Sequence, residues 1–147
     1  MNVLICGGAG FIGSEFIRNH LKNNPNSKIT NLDVLTIGSN LENLKELKNN
    51  LNYKFIKDTI RNESLIDSLV KDADITINFA AESHVDRSID SPMSFVNTNI
   101  LGTATLLQAS TAYQKKTNHS NFKFLHISTD EVFGSLRSKG FFTESTP

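Results

Sequence analysis

"NVLICGGAGFIGSEF", residues 2–16, decides the fold. Asn2–Cys6 is a continuous apolar run rich in β-formers, and glycines follow it at once. Ile12, Phe16, Ile17, His20 and Leu21 then fall at helical spacing across residues 11–23. A strand that meets glycines and passes straight into a helix opens a βαβ unit. Gly8-x-Gly10-x-x-Gly13 satisfies the dinucleotide fingerprint, and so does the looser Gly7-x-x-Gly10-x-x-Gly13. In this pattern the first glycines permit a tight turn, Gly10 lets backbone amides approach a pyrophosphate, and Gly13 lets the helix lie against the sheet. The helix amino terminus then offers free N–H groups to the anion.

The same alternation continues outward. "KITNLDV" (28–34), "YKFI" (53–56), "ADITINFA" (73–80) and "FKFLHIS" (122–128) read as strands two to five. Between them "LENLKELKNN" (41–50) reads as a short helix with Leu41, Leu44 and Leu47 on one side, and "ESLIDSLVKD" (63–72) as another helix. Ser91-Pro92 supplies an N-cap and a first helical position for a long helix. Its apolar face is expected through Val96, Ile100, Thr103, Leu107 and Ser110, with Leu106 and Tyr113 beside it. The tail after Gly134 has no periodicity and reads as loop. Nearly continuous apolar strands alternating with helices mean a parallel sheet covered on both faces. The expectation is an α/β fold, a Rossmann-type doubly wound parallel sheet, with residues 1–147 forming one dinucleotide-binding domain.

Composition narrows the class. The chain has 147 residues, 38% hydrophobic and 20% charged, enough for one domain with a core and too short for two. Net charge is zero, so electrostatics favours neither nucleic acid nor an anionic membrane as partner. No apolar run approaches the ~20 residues of a membrane span, and the amino terminus enters a strand without a signal peptide, so a cytoplasmic location is expected. The single cysteine, Cys6, excludes a disulfide framework and reads as a buried core residue. His84 has no second His or Cys at ligand spacing, so no metal site is expected. His20, His119 and His126 read as helix-face, loop and strand residues.

Ligands of open parallel sheets sit beyond the carboxyl ends of the strands. Asp33 ends strand two about twenty residues past Gly13, the spacing of a ribose-binding carboxylate. It can accept hydrogen bonds from an adenosine ribose and would repel a 2′-phosphate, which selects NAD over NADP. "NFAAESHVDRS" (78–88) crowds Glu82, Ser83, His84, Asp86 and Arg87 behind the small Ala80 and Ala81. Such crowding at this edge is better explained by a ligand than by a solvated loop. Beyond strand five stand Ser128, Thr129, Asp130 and Glu131. Adjacent carboxylates repel, so one can stay protonated as a general acid while the other is an ionised base. A helix start with a capping Thr and an acidic first turn explains the same run. Both readings stay open on the residues alone.

"GGAGFIGS", "AAESHVDRS", "TNILGT" (98–103), "ISTDEVFG" and "FTESTP" closely resemble the dTDP-glucose 4,6-dehydratases of the extended short-chain dehydrogenase/reductase family. The resemblance runs from residue 3 to the last residue. It implies a lyase in which NAD takes a hydride from carbon 4 of the hexose and returns it to carbon 6. By the same resemblance Glu131 removes the carbon 5 proton, Asp130 protonates the departing carbon 6 hydroxyl, and Thr129 and Ser83 contact the nucleotide-sugar substrate. The implied cofactor-binding residues are Gly7, Gly10, Phe11, Ile12, Gly13, Asp33, Val34, Leu35, Thr36, Asp58, Thr59, Phe79, Ala80, Ala81, Glu82, Ser83 and Thr98. Two details depart from the family: Asp58-Thr59 stands where Asp-Ile is usual, and Phe133 where Tyr is common.

The family's Tyr-x-x-x-Lys, which acts on the carbon 4 hydroxyl, is expected beyond Pro147 and not at Tyr53 or Tyr113. The chain is therefore expected to be an inactive amino-terminal part, lacking the substrate domain, of an enzyme that is a homodimer at full length. A UDP-sugar 4,6-dehydratase or epimerase relative, and a non-catalytic NAD-binding module, are the alternatives.

Overall fold

The structure, a computed structural model, describes residues 1–117, 121–136 and 140–146; His119 lies outside them. Five parallel strands form one sheet in the order β3-β2-β1-β4-β5. They are β1 (Asn2–Cys6), β2 (Lys28–Asp33), β3 (Tyr53–Lys57), β4 (Ile75–Asn78) and β5 (Lys123–His126). Side-chain alternation along β1 assigns the two cores. Leu4 and Cys6 face α2 (Glu63–Lys71) and α5 (Thr103–Thr117), packing with Leu32, Ile66, Val70, Leu106 and Phe122. Val3 and Ile5 face the opposite layer, α1 (Phe11–Asn23) and the segment Leu41–Leu47, with Ile17, Leu21, Ile29, Leu44 and Ile77. Helices on both faces make the sheet doubly wound, as expected.

Several boundaries and one helix face differ from expectation. β4 and β5 are shorter than the apolar runs that announce them, because each pairs only over four residues. Residues 41–47 form 3₁₀ turns with a break at Leu44 (φ −125°, ψ 18°) and not an α-helix. A three-residue repeat suits this geometry, since 3₁₀ turns bring i and i+3 into line; Leu44 and Leu47 are buried. Beyond β4, where the sequence reading placed no helix, Val85–Asp90 forms α3.

The long helix does begin at Pro92, as α4 (Pro92–Phe95). Val96–Gly102 is then π-helical before α5 resumes the α geometry. An extra residue in a helical turn rotates everything after it by about 100°. The buried face therefore runs through Gly102, Leu106, Ala109 and Ser110, while Ile100 and Leu107, expected inside, point outward. Ser91 makes no side-chain cap bond. Among the described residues no helix is long and apolar enough to cross a membrane.

Gly102 seats the π segment on the loop after β3. A Cβ there would lie 2.4 Å from Ile60 Cδ1, and Ile60 is buried. Gly102→Ala is expected to cost about 1–3 kcal/mol by overpacking, read as a lower midpoint in thermal unfolding.

Candidate functional site

β1 lies between β2 and β4, so the connections leaving its two sides pass to opposite faces and open a crevice at the strands' carboxyl ends. A cleft of about 630 Å³ occupies that position. The Gly loop and the start of α1 form one wall with Gly7, Gly10, Phe11, Ile12 and Gly13. The end of β2 adds Asp33, Val34 and Thr36; the loop after β3 adds Asp58 and Thr59. The segment after β4 contributes Phe79, Ala80, Ala81, Glu82 and Ser83. Thr98 reaches in from the π segment and Thr129 from beyond β5.

The Gly loop is shaped from beneath. The Gly8 amide donates to Asn31 Oδ1 at 3.1 Å and the Ala9 amide to Asp33 Oδ2 at 2.9 Å. Asn31 is itself held by its Nδ2 donating to the Tyr53 hydroxyl at 2.9 Å. These two loop amides are thus engaged inside the protein. α1 begins just after them, with no side-chain cap and no acidic residue in its first turn, so its first amides stay available to an anion.

A Cβ at position 13 would sit 2.5 Å from the Gly7 carbonyl oxygen, whereas at Gly10 the nearest atom would be 3.4 Å away. Gly13 is closed by backbone and Gly10 faces free space, which suits a pyrophosphate laid across the turn. Of the two overlapping patterns, Gly7, Gly10 and Gly13 all line the cleft, while Gly8 turns inward toward Asn31 and Ile17.

Asp33, 7% exposed, projects at the cleft's β2 side. One carboxylate oxygen accepts the Ala9 amide and the other the Leu35 amide, at 2.8 Å. The second bond closes an Asx-turn and holds Leu35 at φ 60°, left-handed backbone for a bulky residue. Leu35, expected at the cofactor, is not among the residues lining the cleft. Its role is to turn the chain so that Val34 and Thr36 do line it. Cys6 lies at the end of β1 in the core, fully buried; that burial, with the Asp33 charge, pushes its thiol up to about 12.

The segment after β4 is held by asparagines. The Ala80 amide donates to Asn78 Oδ1 at 3.0 Å, and Asn78 Nδ2 lies 3.2 Å from His126 Nδ1. The Glu82 amide donates to Asn99 Oδ1 and Asn99 Nδ2 donates to the Glu82 carbonyl, each at 2.8 Å. The Glu82 carboxylate pairs with Arg87 at 3.3 Å, its side chain only 8% exposed. Arg87 and His84 line the cleft with Ser83.

Asp130 and Glu131 open a single 3₁₀ turn, Asp130–Phe133, and are exposed outside the cleft lining. Thr129 occupies the N-cap position but makes no capping bond, so the capping reading lacks its hydrogen bond. Tyr53 does have a lysine, Lys57, four positions on. On a strand, however, that spacing separates the pair by about 13 Å, and the Tyr53 hydroxyl is spent on Asn31. Among the described residues no cluster of three His, Cys, Asp or Glu could hold a metal.

Lining residues that the sequence reading did not single out include Leu32, Gly38, Ser39, Ile60 and Ile127. Apolar or small residues carry no chemical signal of their own, whether on a strand, as Leu32 is, or just beyond one. Asn31 and Asn99, which shape the walls, were overlooked because neither offers the chemistry a motif search looks for.

A family model described as GDP-mannose 4,6 dehydratase matches residues 4–147. The chain is 48% identical over its whole length to the low-salt glycan biosynthesis protein Agl12 of Haloferax volcanii, covering 45% of that protein. It is 44% identical over 98% of its length to a dTDP-glucose 4,6-dehydratase of Xanthomonas campestris pv. campestris, covering 42% of it. Among solved structures it resembles a dTDP-glucose 4,6-dehydratase from Bacillus anthracis in complex with NAD. That match has a TM-score of 0.83 and 42% identity over 100% of this chain and 43% of the other. The chain thus spans less than half the length of these relatives.

Proposed function

The chain belongs to the GDP-mannose 4,6 dehydratase family, and from its likeness to dTDP-glucose 4,6-dehydratases we propose that it is the NAD-binding part of such an enzyme. The observation that carries the proposal is the cleft at the sheet's switch point. There, uncapped amides at the start of α1 and the anchored Asp33 carboxylate face one space. Gly7, Gly10, Phe11, Ile12 and Gly13 would hold the pyrophosphate, Asp33, Val34 and Thr36 the adenosine ribose, and Asp58 and Thr59 the adenine. Phe79 to Ser83 and Thr98 would meet the nicotinamide half. NAD, when bound, supplies the hydride acceptor. Glu131 would take the proton from carbon 5 of the sugar, Asp130 would give one to the departing carbon 6 oxygen, and Thr129 and Ser83 would orient the substrate. The reaction would yield dTDP-4-keto-6-deoxyglucose and water.

Titration calorimetry with NAD and NADP tests the cofactor reading; NAD is expected to bind at least about tenfold more tightly, as repulsion between Asp33 and a 2′-phosphate requires. Equal affinities, or no binding of either, would sink it. A homodimer of the full-length enzyme is part of the same proposal, supported by the outward-facing Ile100, Leu101 and Leu107 on the helix run after Pro92, and is read by sedimentation equilibrium of that longer protein.

A second reading, a dinucleotide-binding module without dehydratase chemistry, is favoured by one observation: Asp130 and Glu131 lie outside the cleft lining. The coding sequence past Pro147 separates the two. The first reading expects it to supply a Tyr-x-x-x-Lys, and the longer protein to turn dTDP-glucose with NAD into a 4-keto sugar seen by alkaline absorbance. The second expects neither.

A further inference from the structure

Building on the dinucleotide reading above, we infer that Tyr53 is a positioning residue for the pyrophosphate turn, acting on the Gly8 peptide through Asn31. Tyr53 cannot act directly. It stands at the amino-terminal end of β3, about 13 Å of strand from the carboxyl end where the cleft opens, and it does not line that cleft. Its reach into the site is a chain of two hydrogen bonds.

Ile29, Asn31 and Asp33 alternate onto the face of β2 that meets α1. Asn31 is 0% exposed there, in a layer built from Val3, Ile5, Ile17 and Ile29. A carboxamide in such a layer is stable only with its polar atoms paired. Its oxygen accepts the Gly8 amide at 3.1 Å, and its nitrogen donates to the Tyr53 hydroxyl at 2.9 Å. The two ends are not interchangeable. The Gly8 N–H requires the oxygen, which leaves the nitrogen in need of an acceptor on the far side. The Tyr53 hydroxyl is that acceptor, while its ring packs against the same layer.

Two successive peptides of the turn therefore have separate anchors. Ala9 is held by Asp33, whose carboxylate is fixed again by the Leu35 amide. Gly8 is held by Asn31, whose far end is fixed by Tyr53. Without the Tyr53 hydroxyl the carboxamide nitrogen is stranded, and a rotation that finds it another partner takes the oxygen away from Gly8. The Gly8 peptide then loses its inward orientation. With it goes the turn that presents Gly10 and the uncapped first amides of α1 to an anion. Asp33 and the adenosine side keep their own anchors, so the loss should fall on phosphate binding.

ADP and adenosine are titrated into the unsubstituted chain, Tyr53→Phe, Asn31→Val and the double variant, and amide hydrogen exchange at Gly8 and Ala9 is followed by NMR. Tyr53→Phe is expected to weaken ADP by about fivefold, the scale of one modest hydrogen bond, and to leave adenosine within about twofold. It should speed exchange at Gly8 and not at Ala9. Asn31→Val should weaken ADP at least as much. In its background Tyr53→Phe should add less than about twofold, because the link is already cut. Equal losses for ADP and adenosine, an undiminished effect of Tyr53→Phe in the Asn31→Val background, or unchanged exchange at Gly8 overturns the role assigned to Tyr53. If Asn31→Val does not fold, Tyr53→Phe decides the matter through the ligand contrast and the exchange. An unsubstituted chain that binds neither ADP nor adenosine instead overturns the dinucleotide reading, and the role of Tyr53 with it.

Discussion

Gly7→Ala is expected to lower the thermal midpoint by about 10 °C, the shift that about 3 kcal/mol produces in a domain of this size. Two independent costs add at this position. Gly7 has φ +77°, and left-handed backbone costs an L-residue with a Cβ roughly 1–2 kcal/mol. The new Cβ would also lie 2.5 Å from the Ala80 nitrogen, 2.6 Å from Ala80 Cα and 2.8 Å from the Phe79 carbonyl carbon. All three are backbone atoms, so no side chain can swing aside. Relief requires the tips of β1 and β4 to part, and the Gly7 amide is meanwhile tied to the Leu32 carbonyl at 2.9 Å. Because the cleft lies between those tips, cofactor affinity should fall with stability. Gly38 is the control: it also lines the cleft, but a Cβ there would meet nothing within 4 Å. Gly38→Ala is expected to stay within about 0.5 kcal/mol. Similar midpoints for the two variants would show that the contact with Ala80 carries no weight.

The pairing of Gly7 with Ala80 also explains why the fold was legible from residues 2–16. The glycine pattern, the apolar run before it and the helical spacing after it report one local unit, and strand order follows once that unit opens a parallel sheet. Asp33 was legible for the same reason, since its distance from the glycines is set by one helix and one strand. Ile100 and Leu107 were misplaced because periodicity assumes an unbroken α-helix, and the π segment at Val96–Gly102 shifts the phase without any glycine or proline in its interior to announce it. Asn31 and Asn99 escaped notice for a different reason. Their work is to hydrogen-bond the backbone of residues distant in sequence, Gly8 and Glu82, and no spacing encodes a partner that only the folded chain brings near. Thr129, Asp130 and Glu131 were read as a substrate contact, an acid and a base, and of the three only Thr129 lines the cleft.

Asp33→Ala is expected to damage both stability and cofactor recognition, and Asp33→Asn to separate the two. In the wild type each carboxylate oxygen accepts one backbone amide, from Ala9 and from Leu35, in a site only 7% exposed. Alanine leaves both amides without that acceptor, at about 1–3 kcal/mol for each that stays buried. It also removes the Asx-turn that holds Leu35 in left-handed backbone, so the wall formed by Val34 and Thr36 loses its template. Asparagine keeps one acceptor and nearly the same volume, and should therefore keep most of the fold.

What asparagine cannot keep is the charge. A unit charge about 4 Å from a phosphate is worth about 1 kcal/mol in water and about 4 kcal/mol near a protein surface, so the preference for NAD over NADP should fall by tenfold or more. A carboxylate held by two backbone amides cannot rotate away from an incoming 2′-phosphate, which is why the discrimination should be strong in the wild type. The decisive measurement is the ratio of NAD to NADP dissociation constants for the wild type and Asp33→Asn, with thermal midpoints recorded on the same samples. A ratio that does not change while the midpoint falls would mean that Asp33 only builds the Gly loop, and that selectivity, if present, resides elsewhere in the cleft.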